Sequence, residues 1–210
     1  QRSGTGFLET LLNNHPDIYC TGELLLLDNR RSFTHAWAEA VKQDERNILP
    51  QRAAELFRKY FAAFYAQYAQ PHVGFDIKYD QWGVVAALED LLKELNVRVL
   101  HLVRRNYLKT YVSLLVNKEK QKLGRTAHDL KKYPPIRVRV PVEGRLLREL
   151  AKRRDELEHF SAFLPLHFDC HTLFYEDFFT SGEEGQTLRP SVLEGIYDFL
   201  GVTNRPTDLT

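Results

Sequence analysis

The sequence predicts an α/β fold in three layers, with a central parallel sheet that helices cover on both faces. Segments of strand character alternate along the chain with segments whose apolar residues recur at helical spacing. This alternation is typical of a parallel sheet, because each connection between parallel strands is long enough to hold a helix. At 210 residues and 43% hydrophobic side chains, the chain can bury one sizeable core, so we expect a single domain over residues 1–210.

The first half of the chain combines three predicted helices with one predicted strand. In order, these are a helix from Phe7 to Asn14, a helix from Arg52 to Gln70, a strand from His72 to Tyr79 and a helix from Val84 to Leu95. The first helix is predicted from an apolar stripe that includes Leu8, Leu11 and Leu12. Pro16 ends it, because proline cannot continue a helix.

The second half contains the strongest strand pattern of the sequence, from Val97 to Val103, which is rich in β-branched residues. The elements predicted after it are a helix from Leu108 to Lys118, a long charged helix from Val142 to Phe163, a strand from Thr172 to Tyr175 and a helix from Pro190 to Leu200. Ligands of open parallel sheets bind at the carboxyl ends of the strands. We therefore expect functional residues in the loops that follow these strands.

Composition and charge argue against several classes of protein. The 29 Lys and Arg residues nearly balance 28 Asp and Glu, so the net charge of +1 indicates neither a nucleic-acid partner nor a membrane-surface one. Cys20 and Cys170 are too few for a disulfide framework, and neither has metal-ligand spacing around it. No apolar run is long enough to be a transmembrane segment. The low cysteine content favours a cytoplasmic location, although a targeting or anchor segment could precede Gln1.

The opening sequence, QRSGTGFLET, places a glycine-containing turn directly before a helix. The first N–H groups of a helix lack partners and the helix dipole is positive there, so such a turn can bind an anion. Arg2 adds a charge, while Gly4 and Gly6 let the backbone curve around an oxyanion. The turn lacks the Lys-Ser/Thr pair of a nucleotide-triphosphate P-loop, and Glu9 replaces the third glycine of a dinucleotide-binding motif. By itself, the turn fits an anion site and a plain helix cap equally well.

Further motifs follow this turn in a fixed order. They are RSGT at residues 2–5, HP at 15–16, GE at 22–23, RRN at 104–106 with Ser113 after it, and FYED at 174–177 before a helix that ends in FLG. Together they resemble the motifs of sulfotransferases that use 3′-phosphoadenosine 5′-phosphosulfate (PAPS), and most closely those of the nodulation-factor type of carbohydrate sulfotransferase. The resemblance spans Arg2 to Gly201 and implies a P-loop-like form of the predicted three-layer fold.

The resemblance implies a donor site that holds the two ends of PAPS. The residues implied at the 5′-phosphosulfate are Arg2, Ser3, Gly4, Thr5, Gly6 and Phe7. Arg105 and Ser113 match the residues that bind the 3′-phosphate, and Tyr175 matches an aromatic residue near the adenine. Gly6 stands where threonine is more common, so one hydroxyl contact is lost, and the role of Arg104 stays open. The family reaction uses no metal and releases adenosine 3′,5′-bisphosphate.

Sulfuryl transfer to a hydroxyl requires two further groups. Negative charge develops on the leaving phosphate, so a cation is expected at the bridging oxygen, and Lys78 and Arg2 are the candidates. A general base must accept the proton of the acceptor hydroxyl, and Glu23 matches the glutamate of some relatives. Asp76 is a rival acid in the same predicted strand as Lys78. Two simpler interpretations stay open, in which Lys78 is an exposed strand end and Glu23 begins a helix.

The sequence also leaves other functions and the acceptor open. A P-loop-like small-molecule kinase and a nucleotide-binding module without catalysis are the alternatives to a sulfotransferase. The resemblance favours a carbohydrate hydroxyl as acceptor, and the loops at residues 24–46 and 124–140 are expected to select it. His101, within the strongest strand, is assigned to packing. We also expect the domain to lack its first strand, before Gln1, and its carboxyl-terminal end.

Overall fold

The computed structural model describes residues 4–26, 32–83, 88–124, 136–140, 144–182 and 185–203. Within them the chain forms a mixed α/β fold in which helices flank parallel strands, as the sequence predicts. The predicted donor-site residues Arg2 and Ser3 lie outside the described residues.

Helices and strands alternate through most of the chain. The helices are α1 (Thr5–Asn13), α2 (Phe33–Gln43), α3 (Pro50–Tyr65), α4 (Leu88–Glu94), α5 (Tyr107–Lys122), α6 (Arg145–His167) and α7 (Pro190–Leu200). The strands are β1 (Ile18–Glu23), β2 (His72–Asp76), β3 (Arg98–Val103), β4 (Asp169–Phe174), β5 (Phe179–Gly182) and β6 (Gly185–Leu188). Every predicted helix is present; the last has its predicted ends, and the ends of the others are shifted. Residues 84–87, at the start of one of them, lie outside the described residues. The prediction of a loop over residues 24–46 is wrong in part, because α2 lies within this segment.

The prediction of a strand from His72 to Tyr79 is too long. β2 ends at Asp76, and the chain then makes a 3₁₀ turn at Tyr79–Gln81. The turn is closed by the Gln81 N–H, which donates to the Lys78 carbonyl at 2.9 Å, while the Lys78 N–H donates to Gln81 Oε1 at 2.9 Å. This side-chain bond between neighbours competes with strand pairing, and alternation of apolar residues does not reveal it.

Four strands form two parallel pairs, which confirms the predicted parallel arrangement. β1 pairs with β2, and β3 pairs with β4 in continuous register from Arg98 opposite Asp169 to Val103 opposite Phe174. Among the described residues no ladder joins the two pairs, and a cavity of about 750 Å³ is lined by β2 on one side and β3 on the other. β5 and β6 form a separate antiparallel hairpin. The carboxyl ends of β1 and β2 thus lie together, as do those of β3 and β4.

Two clusters of buried side chains make the core. One joins α1 to β3, β4 and α7, and the other joins α2, α3 and α4 around Phe57 and Phe61, both 0% exposed. α1 contributes Leu8, Leu11 and Leu12, the stripe that the sequence predicts. Burying three leucines anchors α1 against the strands, which fixes the position of the turn at its amino-terminal end.

Candidate active site

The turn at the start of α1 requires glycine at position 4. Gly4 has φ 100° and ψ 18°, in the left-handed region that disfavours residues with a Cβ. A Cβ atom at Gly4 would lie 2.4 Å from Cδ2 of Tyr175, which follows β4. The Gly4 carbonyl accepts the N–H groups of Phe7 and Leu8 at 3.0 and 3.1 Å. The first turn of α1 therefore packs directly against the carboxyl end of β4.

Lys78 lies beside this turn, after the end of β2. Its side chain is only 6% exposed, so Lys78 is not an exposed strand end. The ammonium donates to Thr5 Oγ1 at 2.6 Å, forms a close ion pair with Asp76, and lies 3.8 Å from Glu23 Oε1. Because burying a cation is costly unless it is paired, these contacts offset the cost of burying the Lys78 side chain at the start of α1.

Glu23 is the last residue of β1, so it does not begin a helix. An irregularity of the strand at Gly22 places Glu23 opposite Asp76 of β2. Gln81, itself buried, donates from Nε2 to Glu23 Oε2 at 2.6 Å. Gln81 thus holds the Glu23 carboxylate close to the ammonium of Lys78. The sequence offers no signal for Gln81, because its contact depends on the 3₁₀ turn.

A third carboxylate, Glu9 on α1, lines the cavity together with Asp76 and Lys78. Burial raises the pKa of Glu9, the nearby Asp76 carboxylate raises it further, and Lys78 opposes the rise. In the sequence, Glu9 stands out only because it replaces a glycine of the dinucleotide-binding motif. The one sequence signal for a site residue at position 9 is an acid in the second turn of a helix that follows an anion-binding turn. Three carboxylates therefore lie around one buried ammonium, two of them in ion pairs with it.

Arg105 follows β3, at the same edge of the molecule. Its Nη1 and Nη2 donate to Oδ1 and Oδ2 of Asp177 at 2.8 and 3.2 Å, and its Cζ lies 3.8 Å from the centroid of the Phe174 ring. The Glu176 carboxylate accepts the N–H groups of Arg105 and Asn106, each at 3.1 Å. These groups meet because β3 and β4 end side by side, with Val103 opposite Phe174.

Tyr175 connects the two parts of the site. Gly4 packs against its ring, and Cζ of Arg104 lies 4.8 Å from the ring centroid. The ring of Phe7 lies 6.1 Å from that of Tyr175 and also packs against Phe178 and Phe179. The turn of α1 and Arg104, which follows β3, are therefore neighbours across one aromatic ring.

The two remaining predicted residues lie within helices. Ser113 is on α5, the helix that Arg105 precedes, and is partly buried. Gly6 is the second residue of α1, and a Cβ atom there would meet no described atom within 4 Å. An open position at the start of α1 leaves the adjacent backbone N–H groups accessible to an anion.

A model of the sulfotransferase family matches residues 1–206, which is nearly the whole chain. The chain belongs to the sulfotransferase family. This is a family of enzymes that use PAPS as the sulfuryl donor. The match is to the family as a whole, and the nodulation-factor type stays a prediction. No curated protein gives a significant match to the chain.

The described part of this sulfotransferase presents hydrogen-bond donors and cationic side chains at two places. The start of α1, with Thr5 and Lys78 beside it, is one, and Arg104 and Arg105 form the other. Tyr175, between them, offers an aromatic surface. None of the described helices is both long and apolar enough to cross a membrane.

Proposed function

We propose that this sulfotransferase moves a sulfuryl group from PAPS to a hydroxyl of a carbohydrate, with Glu23 as the general base. The observation that supports it is the contact of Lys78 with Thr5 at the start of α1, within 3.8 Å of the Glu23 carboxylate. A cation, an anion-binding helix end and a base thereby share one place. Bound PAPS would supply the sulfuryl group, and adenosine 3′,5′-bisphosphate would be the product.

The donor would be held at two ends. At the 5′-phosphosulfate we propose Thr5 Oγ1 together with the backbone N–H groups at the start of α1, which the helix dipole makes favourable for an anion. The full proposed set at this end is Arg2, Ser3, Gly4, Thr5, Gly6 and Phe7. Arg105 and Ser113 would bind the 3′-phosphate, and Tyr175 would contact the adenine.

Lys78 would stabilise the negative charge that develops on the leaving oxygen. Its ammonium already donates to Thr5 Oγ1, so it is oriented toward the helix end where the phosphosulfate would lie. Fixed charge of this kind acts strongly in a site shielded from water, because the protein does not need to reorganise during the reaction.

Glu23 is better suited than Asp76 to accept the proton of the acceptor. Asp76 makes the closer ion pair with Lys78, so we assign it to holding the ammonium in place. Glu23 is farther from Lys78 and receives a hydrogen bond from Gln81 at Oε2. A carboxylate oriented beside the cation is placed to take a hydroxyl proton as the new bond forms.

The first test separates donor binding from the kinase alternative. Calorimetry should show that the chain binds adenosine 3′,5′-bisphosphate, and that ATP with Mg²⁺ binds far more weakly. A preference for ATP with Mg²⁺ would favour a kinase instead.

Transfer from labelled PAPS should then appear with glycans, tested beside tyrosine peptides, lipids and small phenols. Transfer only to a non-carbohydrate class would contradict the proposed acceptor.

The second test addresses the base. We predict that Glu23→Gln lowers transfer by about 10²–10⁴-fold and changes the affinity for adenosine 3′,5′-bisphosphate by no more than about twofold. Glu94→Gln is the matched control, because this substitution removes the same charge at an exposed site, where Glu94 pairs with Arg58. Undiminished transfer by Glu23→Gln would rule out Glu23 as the base. Nucleotide binding by the wild type without transfer to any acceptor would favour a binding module.

A further inference from the structure

The hydrogen-bond donors around Arg105 are already occupied by carboxylates. The Asp177 carboxylate accepts hydrogen bonds from Nη1 and Nη2 of Arg105. A phosphate readily binds this same pair of donors. The Glu176 carboxylate accepts hydrogen bonds from the backbone N–H groups of Arg105 and Asn106, just before α5. This end of the site therefore carries its own anionic groups where the 3′-phosphate would bind.

Asp177 lies at an edge of the Arg105 guanidinium that a phosphate would approach. The Phe174 ring covers one face of the guanidinium, with Cζ 3.8 Å from the ring centroid, so anions can approach only its edges. A phosphate on the Nη1–Nη2 edge would displace Asp177. A phosphate on the other edge would lie close enough to the Asp177 carboxylate for the two negative charges to repel each other.

The pair of Arg105 and Asp177 is weak enough to be opened. The side chains are 52% and 41% exposed, and exposed ion pairs contribute little to stability. Asp177 can therefore reduce the affinity for a 3′-phosphate without closing the site to it.

We propose that Asp177 competes with the 3′-phosphate of the donor for Arg105 and sets how strongly the site prefers nucleotides that carry this group. The inference rests on the proposed function, because it takes Arg105 as the 3′-phosphate ligand. It assigns to Asp177 a role in selectivity and release. The bisphosphate product leaves more readily when a carboxylate can return to the guanidinium.

Asp177→Asn tests this competition, with two ligands that differ only in the 3′-phosphate. By calorimetry at low salt, we expect the variant to bind adenosine 3′,5′-bisphosphate about threefold to tenfold more tightly than the wild type. Its affinity for adenosine 5′-monophosphate should change by no more than about twofold. The gain should shrink at high salt, since the groups are exposed. Asp177→Ser should give the same pattern, which excludes an effect peculiar to asparagine.

The control variant is Asp155→Asn, which removes a carboxylate paired with Arg154 on the exposed surface of α6. It should leave both affinities unchanged. Weaker bisphosphate binding by Asp177→Asn and Asp177→Ser would overturn the inference, because Asp177 would then orient Arg105 for the phosphate. Equal tightening for both nucleotides, or tightening by Asp155→Asn as well, would also overturn it. If the wild type binds no bisphosphate at all, the proposed function fails, and this inference fails with it.

Discussion

Among single residues, the two glycines of the opening turn differ in what a methyl group would meet. Gly4 has a positive φ of 100°, and a Cβ there would lie 2.4 Å from the Tyr175 ring. Gly6 lies in α1 with an ordinary helical φ, and no described atom lies within 4 Å of a Cβ there. The conformation of the turn therefore requires glycine at position 4, whereas the fold has room for a Cβ atom at position 6.

We predict that Gly4→Ala lowers the free energy of unfolding by about 2 kcal/mol, because it combines backbone strain with a collision. Gly6→Ala, the matched control, should leave the free energy unchanged or raise it by up to about 1 kcal/mol, since alanine is favoured in a helix. Urea unfolding followed by circular dichroism measures both. Equal losses for the two variants would contradict this account of the turn.

Among the elements, β3 carries a histidine that burial keeps neutral. His101 is 4% exposed, and burial lowers its pKa to about 4. Its Nε2 lies 2.5 Å from the hydroxyl of Tyr79, and among the described residues its Nδ1 has no hydrogen-bond partner. This agrees with the packing role predicted for His101 from the sequence, and it makes the stability of the strand pair depend on pH.

We predict that His101 lowers the free energy of unfolding by about 2 kcal/mol when the pH falls from 7 to 5. Between an unfolded pKa of about 6.5 and a folded pKa of about 4, the unfolded chain binds more protons, so stability falls as the pH falls through this window. His101→Gln should remove most of this slope in urea unfolding, whatever its effect at pH 7. An unchanged slope in the variant would show that other groups cause the pH dependence.

In the whole molecule, the two parallel pairs leave a cavity of about 750 Å³ between β2 and β3. Its lining includes Leu8 of α1, Val73 of β2 and Leu100 of β3. Within the described residues, β2 and β3 each have one edge without a strand partner. α1 begins between the ends of the two pairs, since Thr5 contacts Lys78 and Gly4 contacts Tyr175. A strand leading into α1 would thus fit the cavity.

For a recombinant chain that starts at Gln1, we predict that seven valine and isoleucine residues fused before Gln1 raise the Tm by at least about 4 °C. The extension would pair with both open edges and bury apolar surface. Amide hydrogen exchange of β2 and β3 should slow in the same variant. The control is an extension with proline at alternate positions, which cannot donate the ladder bonds. Equal effects of the two extensions, or concentration-dependent dimers, would contradict filling of the cavity by a strand.

The sequence by itself determined every helix except α2, which falls in a segment predicted as a loop, together with the strands β3 and β4 and the order of the sulfotransferase motifs. These features are local, since a helix or strand pattern is contained within one segment of chain. The pattern of β1 and of the β5–β6 hairpin is too short to stand out, and each of these strands depends on its partner for hydrogen bonds. The motifs indicated Glu23 and Arg105 as site residues, and the need for a cation in sulfuryl transfer indicated Lys78, but neither showed the neighbours of these residues.

Only the tertiary structure decided which groups surround those residues. Gln81 and Glu23 are separated by 58 positions in the chain, and Arg105 and Asp177 by 72. These contacts depend on strand register, on the bulge in β1 and on the 3₁₀ turn after β2. A shift of one residue in register would turn each side chain to the other face, and the spacing of residues along the chain does not record which register is formed.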